Sequence, residues 1–169
     1  MELTVEKLLS KEKIKIYFLD ILSAAAIYFL PALSHMLSFP LYLIEPMRVA
    51  LVASIIFTNR TNAFIIAFTL PAFSYFISSH PVFIKAGLIS TELLLNVFLF
   101  YYLKEKIKNT TFVFALSIIV SKIYYYAIKY FLLQFSLMDG VLISTPLLIQ
   151  LIMILVFTGS FQFLAKDKE

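Results

Sequence analysis

No cysteine occurs in the chain, which removes disulfide scaffolds, thiolate metal sites and cysteine nucleophiles together. Glycine is nearly as scarce: three in 169 residues leave no material for a glycine-rich phosphate cradle. Neither HExxH nor Gly-x-Ser-x-Gly is present, and no His and Asp residues share a metal-ligand spacing. The expectation is a protein with no metal site, no cofactor and no enzymatic activity. Charge is short as well. With 14% of residues charged and 62% hydrophobic, there is too little polar surface to cover a soluble core, and an integral membrane protein is expected.

Apolar runs fill most of the sequence. A helix crossing the hydrocarbon layer needs roughly 20 mainly apolar residues, and six segments approach that length, near residues 14–36, 39–58, 62–78, 82–103, 111–135 and 141–164. The runs lack period-two alternation, so each must satisfy its backbone groups as a helix rather than as a barrel strand. The expected class is all-α: a polytopic membrane protein folded as a compact bundle of about six transmembrane helices. The breaks between runs are short, so residues 1–169 read as a single integral membrane domain. The first residues mix both charge signs without a small-residue cleavage site, and a removable signal peptide is not expected.

Basic residues set the expected orientation. Lys7, Lys11, Lys13 and Lys15 precede the first run, Arg60 lies between the second and third, Lys104, Lys106 and Lys108 lie between the fourth and fifth, and Lys166 and Lys168 close the chain. The alternate connections contain no lysine or arginine. By the positive-inside rule both N and C termini are cytoplasmic, in a multi-pass protein of the plasma membrane. The net charge of +4 then reports orientation and not a nucleic-acid partner.

Several charges fall inside the runs, where they are costly and normally face the bundle interior or a wet cavity. These are Glu45, Arg48, Lys85, Glu92, Lys122 and Lys129, with Asp20 just inside the first run. Lys85, Glu92 and Asn96 stand at i, i+7 and i+11, which places them on one helix face. At about 1.5 Å per residue, Lys85 lies about 6 Å and Glu92 about 16 Å below the outer end of its run, too far apart to pair. Glu92 needs a partner from another helix, and Arg48, about 12 Å deep in its own run, is at a matching level. Glu45 and Arg48 are three residues apart and can also pair with each other. Tyr125 and Tyr126 adjoin Lys122 and Lys129, and His35 and His80 fall in outer connections. Each feature also has a plain structural reading: Lys85 as a snorkelling side chain, Glu45 with Arg48 as a structural pair, Glu92 with Asn96 as an interhelical clamp.

Residues 43–71 and 70–103, which carry a Ser-Ser-His-Pro turn ahead of a helix bearing Glu92 and Asn96, resemble the substrate-binding S components of energy-coupling factor transporters. The resemblance implies capture of a vitamin-like micronutrient from the outer side. It also implies docking onto a membrane coupling protein with two ATP-hydrolysing subunits. In that reading Arg48, Lys122 or Lys129 neutralises an anionic substrate, and Glu92 and Asn96 bond its polar groups. Glu45 and Tyr126 complete the site, with His80 and Lys85 at its mouth. Family members dock through small residues on the first span. Here these are Ser23, Ala24, Ala25 and Ala26, contiguous rather than spaced. Two alternatives remain: a structural scaffold like the membrane protein of a cell-shape complex, and a membrane-embedded enzyme using Glu92 with a lysine as acid and base.

Overall fold

The computed structural model describes residues 11–38, 40–78 and 81–166. All secondary structure among them is helical: α1 (Lys11–Met36), a single 3₁₀ turn (Leu41–Ile44), α2 (Pro46–Phe57), α3 (Arg60–Ser78), α4 (Phe83–Lys104), α5 (Thr110–Gln134) and α6 (Leu147–Lys166). Every α-helix except α2 is long and apolar enough to cross a membrane. Large apolar side chains cover the outside. Phe18, Ile21, Met36, Phe76, Leu155 and Phe163 are each more than two-thirds exposed, as a lipid-facing surface allows and water does not. These features mark a multi-pass membrane protein.

The expected second span over 39–58 is corrected. Its helix begins only at Pro46 and has 12 residues, about 18 Å of rise, which is short of the bilayer core. The cause lies in the backbone. Pro46 offers no N–H to continue a helix and pushes the preceding residue out of the helical region. Glu45 adopts φ 51°, ψ 60°, and so ends the 3₁₀ turn and starts α2 at once. The last expected span is shortened for a related reason: α6 starts at Leu147, directly after Pro146, and not at 141. The other four runs match their helices to within three residues at each end.

Successive helices run in opposite directions, which sorts the junctions between two ends of the bundle. One end gathers Lys11, Lys13, Lys15, Arg60, Lys104, Lys106 and Lys108; it is called here the lysine end. The opposite half holds all six prolines, and is called the proline end. Helix starts at the lysine end are regular. The Asn59 side-chain oxygen accepts from the Asn62 amide at the head of α3, and that of Asn109 accepts from the Phe112 amide at the head of α5, both at 2.9 Å. At the proline end the turns are strained. Ser38, Glu45 and Ser136 all have positive φ, in a chain with little glycine to take such positions. Ser136 closes α5 in a Schellman motif, with Leu137 N–H donating to the Leu132 carbonyl and Ser136 N–H to that of Leu133.

Packing centres on α4, which contacts α3 and α5 most extensively. Its buried residues Ala86, Ser90, Leu93, Val97 and Phe100 recur at intervals of three and four, the spacing of one helix face. Toward the lysine end Phe100, Phe114 and Phe161 join α4, α5 and α6. Phe114 and Phe161 stack with centroids 4.4 Å apart, and Phe100 meets both edge-on. A polar clamp ties α1, α2 and α3: the Asn62 amide donates to Asp20 at 2.9 Å and to Ser54 at 3.3 Å.

Candidate functional site

The break before α2 places Glu45 where its side chain can reach two helices. Its backbone carbonyl accepts from the amides of Arg48 and Val49, at 2.8 and 3.1 Å, which anchors the first turn of α2. One carboxylate oxygen accepts from Lys122 Nζ on α5 at 2.6 Å, and the other lies 3.3 Å from Arg48 Nε. Arg48, only 3% exposed, donates through Nη2 to Glu92 on α4. Four charges thus form one line, Lys122–Glu45–Arg48–Glu92, whose sum is zero. Neutrality matters here, because an uncompensated charge in so enclosed a place carries a desolvation cost of several kcal/mol.

Two donors in that line are left over. Arg48 Nε, which meets Glu45 as an ion pair only, and Arg48 Nη1, which has no carboxylate beside it, are both buried without a hydrogen-bond partner. Arg48 borders a cavity of about 520 Å³ at the proline end, lined by all six α-helices and the 3₁₀ turn. All four charged residues line it, and Lys85 joins them without a carboxylate in ion-pair range among the described residues. Three cations and two carboxylates give the lining a formal excess of one positive charge. The remaining wall is mainly apolar and aromatic, and includes Met47, Ile89, Leu93, Tyr42, Tyr125 and Tyr126. Tyr125 and Tyr126 meet edge-to-face at 5.3 Å. Such a site can hold a small molecule with a flat or apolar body and an anionic group.

The structure gathers Glu45, Arg48, Lys85, Glu92, Lys122 and Tyr126 at this cavity. Asn96 does not line it. Its side chain is 1% exposed, and its amide donates to Ser121 on α5 at 3.3 Å, as an interhelical clamp. Lys129 does not line it either; its Nζ is 3.5 Å from Ser144 and 5.8 Å from the centre of the Tyr125 ring. His80 lies outside the described residues. On α1, Ser23 is buried against the bundle while Ala26 faces outward and Ala24 and Ala25 are intermediate. Sequence reasoning missed Tyr42, Ser144, Thr145 and Gln150 in the lining. Gln150 was the most legible of these, a carboxamide in the otherwise apolar stretch 147–157; it is 4% exposed and donates to the Thr145 carbonyl at 2.7 Å.

Among the described residues no three His, Asp or Glu side chains come together as a metal ion would need. Comparison with protein-family models, characterised proteins and solved structures gives no match. The functional reading therefore rests on the residues of the site.

Proposed function

We propose that the chain is a substrate-capture subunit of the energy-coupling factor kind, taking a small anionic, vitamin-like micronutrient into the proline-end cavity. The buried Arg48 Nη1, a donor without an acceptor beside a cavity with excess positive charge, carries this reading. A carboxylate or phosphate on the ligand supplies the missing acceptor, and the tyrosine and apolar walls hold its body. In this reading both termini are cytoplasmic and the proline end faces outward across the plasma membrane. In this reading α2, extended by the 3₁₀ turn to a combined rise of about 26 Å, makes the sixth crossing that the alternation of basic residues asks for, although it is shorter than the hydrocarbon core. A membrane coupling protein with two ATP-hydrolysing subunits drives import, with α1 around Ser23–Ala26 as the docking face.

Native mass spectrometry of the gently purified protein tests this directly. A water-soluble anionic compound retained at one per chain is expected, and it should be lost from Arg48→Lys, which keeps the charge but removes Nη1. Glu92→Gln should weaken retention at least tenfold by releasing Arg48 from its fixed orientation. An empty protein that gains no thermal stability from a panel of vitamins would overturn the capture reading. It would favour the scaffold, in which the Lys122–Glu45–Arg48–Glu92 line serves only to join α2, α4 and α5.

A further inference from the structure

A second cavity, of about 430 Å³, opens at the lysine end where α2, α4 and α6 stop and α3 and α5 begin. Its floor is apolar, built from Ile55, Phe100 and Phe161. Two cations stand on its wall. The Arg60 guanidinium lies 5.5 Å from the centre of the Tyr101 ring and 5.9 Å from that of Phe64, and the Lys104 ammonium lies 5.9 Å from that of Phe100. Phe100 and Tyr101 themselves line the cavity, so both charges, though exposed, stand over aromatic faces at its edge. No carboxylate lines this cavity, and neither cation is in an ion pair among the described residues. That is the reverse of the proline end, where Arg48 and Lys122 each face a glutamate. Thr110, Thr111 and Asn59 add uncharged polar groups to the rim; the Asn59 oxygen is engaged in capping α3, which leaves its amide nitrogen as a donor.

We propose that this cleft binds the phosphate group of an anionic amphiphile, with a phospholipid headgroup as its source. Two cations flanked by hydroxyl and amide donors match the several oxygens of a phosphodiester, and the apolar floor accepts the glycerol end of the attached chains. A neutral ligand would leave both charges uncompensated. Basic pockets between helices at the headgroup level are where anionic lipids bind membrane proteins. The site is separate from the proline-end cavity, and its test does not depend on what that cavity holds.

The experiment is native mass spectrometry of lipid retained after reconstitution with phosphatidylglycerol or with phosphatidylcholine. Phosphatidylglycerol should be retained preferentially. Arg60→Gln and Lys104→Gln should each lower that retention about fivefold, the contribution of one basic residue near an anionic membrane. Lys106→Gln removes the same charge from a side chain that stacks 4.1 Å from the Tyr102 ring outside the cavity, and it should leave retention near the parent value. Arg60→Lys, which keeps the charge, should retain most of the binding and so separates loss of the site from loss of the fold. Competition by glycerol phosphate would support the phosphate site but assign it to a free phosphate compound; no competition assigns it to lipid. Equal retention by the Arg60→Gln/Lys104→Gln double variant, an equal loss in Lys106→Gln, or no preference for phosphatidylglycerol together with no glycerol phosphate binding would each overturn the proposal.

Discussion

The two ends of the bundle hold cavities of similar size, about 520 and 430 Å³, but they are built on different forces. At the lysine end α4, α5 and α6 are joined by three phenylalanine rings, and the helices begin with regular asparagine caps. At the proline end α2, α4 and α5 are joined by four alternating charges, and the turns carry strained backbone. Ring packing gains dispersion at no desolvation cost. A buried ion pair must first recover what it loses by leaving water, and an apolar replacement often does as well for stability. A membrane protein that needed only cohesion could have used phenylalanine at both ends. Ion pairs that, among the described residues, occur at one end only, around a cavity with unused donors, are the better sign of a site selected for something other than holding the fold.

The contrast can be broken first at Glu92. Glu92→Ala strips Arg48 of its cross-helix partner and should destabilise the protein by about 3–5 kcal/mol, read as thermal unfolding in detergent. Replacing both partners, Arg48→Met with Glu92→Leu, should restore most of that stability while abolishing ligand retention. Recovery of both would show that the pair is there for cohesion alone. Next in size is Phe161→Ala, which opens the aromatic triad and should cost about 3 kcal/mol. Ligand retention at the proline end should survive it, and a parallel loss would mean that the two ends are not separable. A smaller change of opposite sign is expected from Ser136→Gly, which relieves positive φ in the Schellman turn and should raise stability by about 1 kcal/mol. The smallest effect is the coupling between Asn96 and Ser121. A double-mutant cycle with alanine at each should return about 0.6 kcal/mol, a clamp's share and not a ligand contact's.

Hydropathy and the spacing of basic residues made α1, α3, α4 and α5 legible, because lipid demands long apolar helices and little else. It failed at residues 40–45 and 141–146, where proline interrupts the helical hydrogen bonding that the apolar composition suggests. The charged site was legible in depth and not in rotation. Counting residues put Arg48 at a level where Glu92 could be met, and the structure pairs them. The same counting left Asn96 beside Glu92 as a ligand contact, although one turn further along α4 the cavity has ended and α5 packs against the helix. Lys129 misled in the same way: its depth suits the site, but its ammonium is engaged by Ser144 and the Tyr125 ring and does not line the cavity. Which way a side chain turns about its helix axis depends on neighbours that no single run encodes.

Glu45 stops one helical turn, starts another and balances Lys122 and Arg48, all from a backbone position in left-handed conformation. An anion that draws either cation away from Glu45 also removes a tether on residues 41–45. In the proposed capture role, ligand affinity and the position of that segment are therefore linked quantities. Whatever free energy binding uses to shift the segment is missing from the measured affinity, and any restraint that alters the segment's balance between positions changes affinity by the same amount.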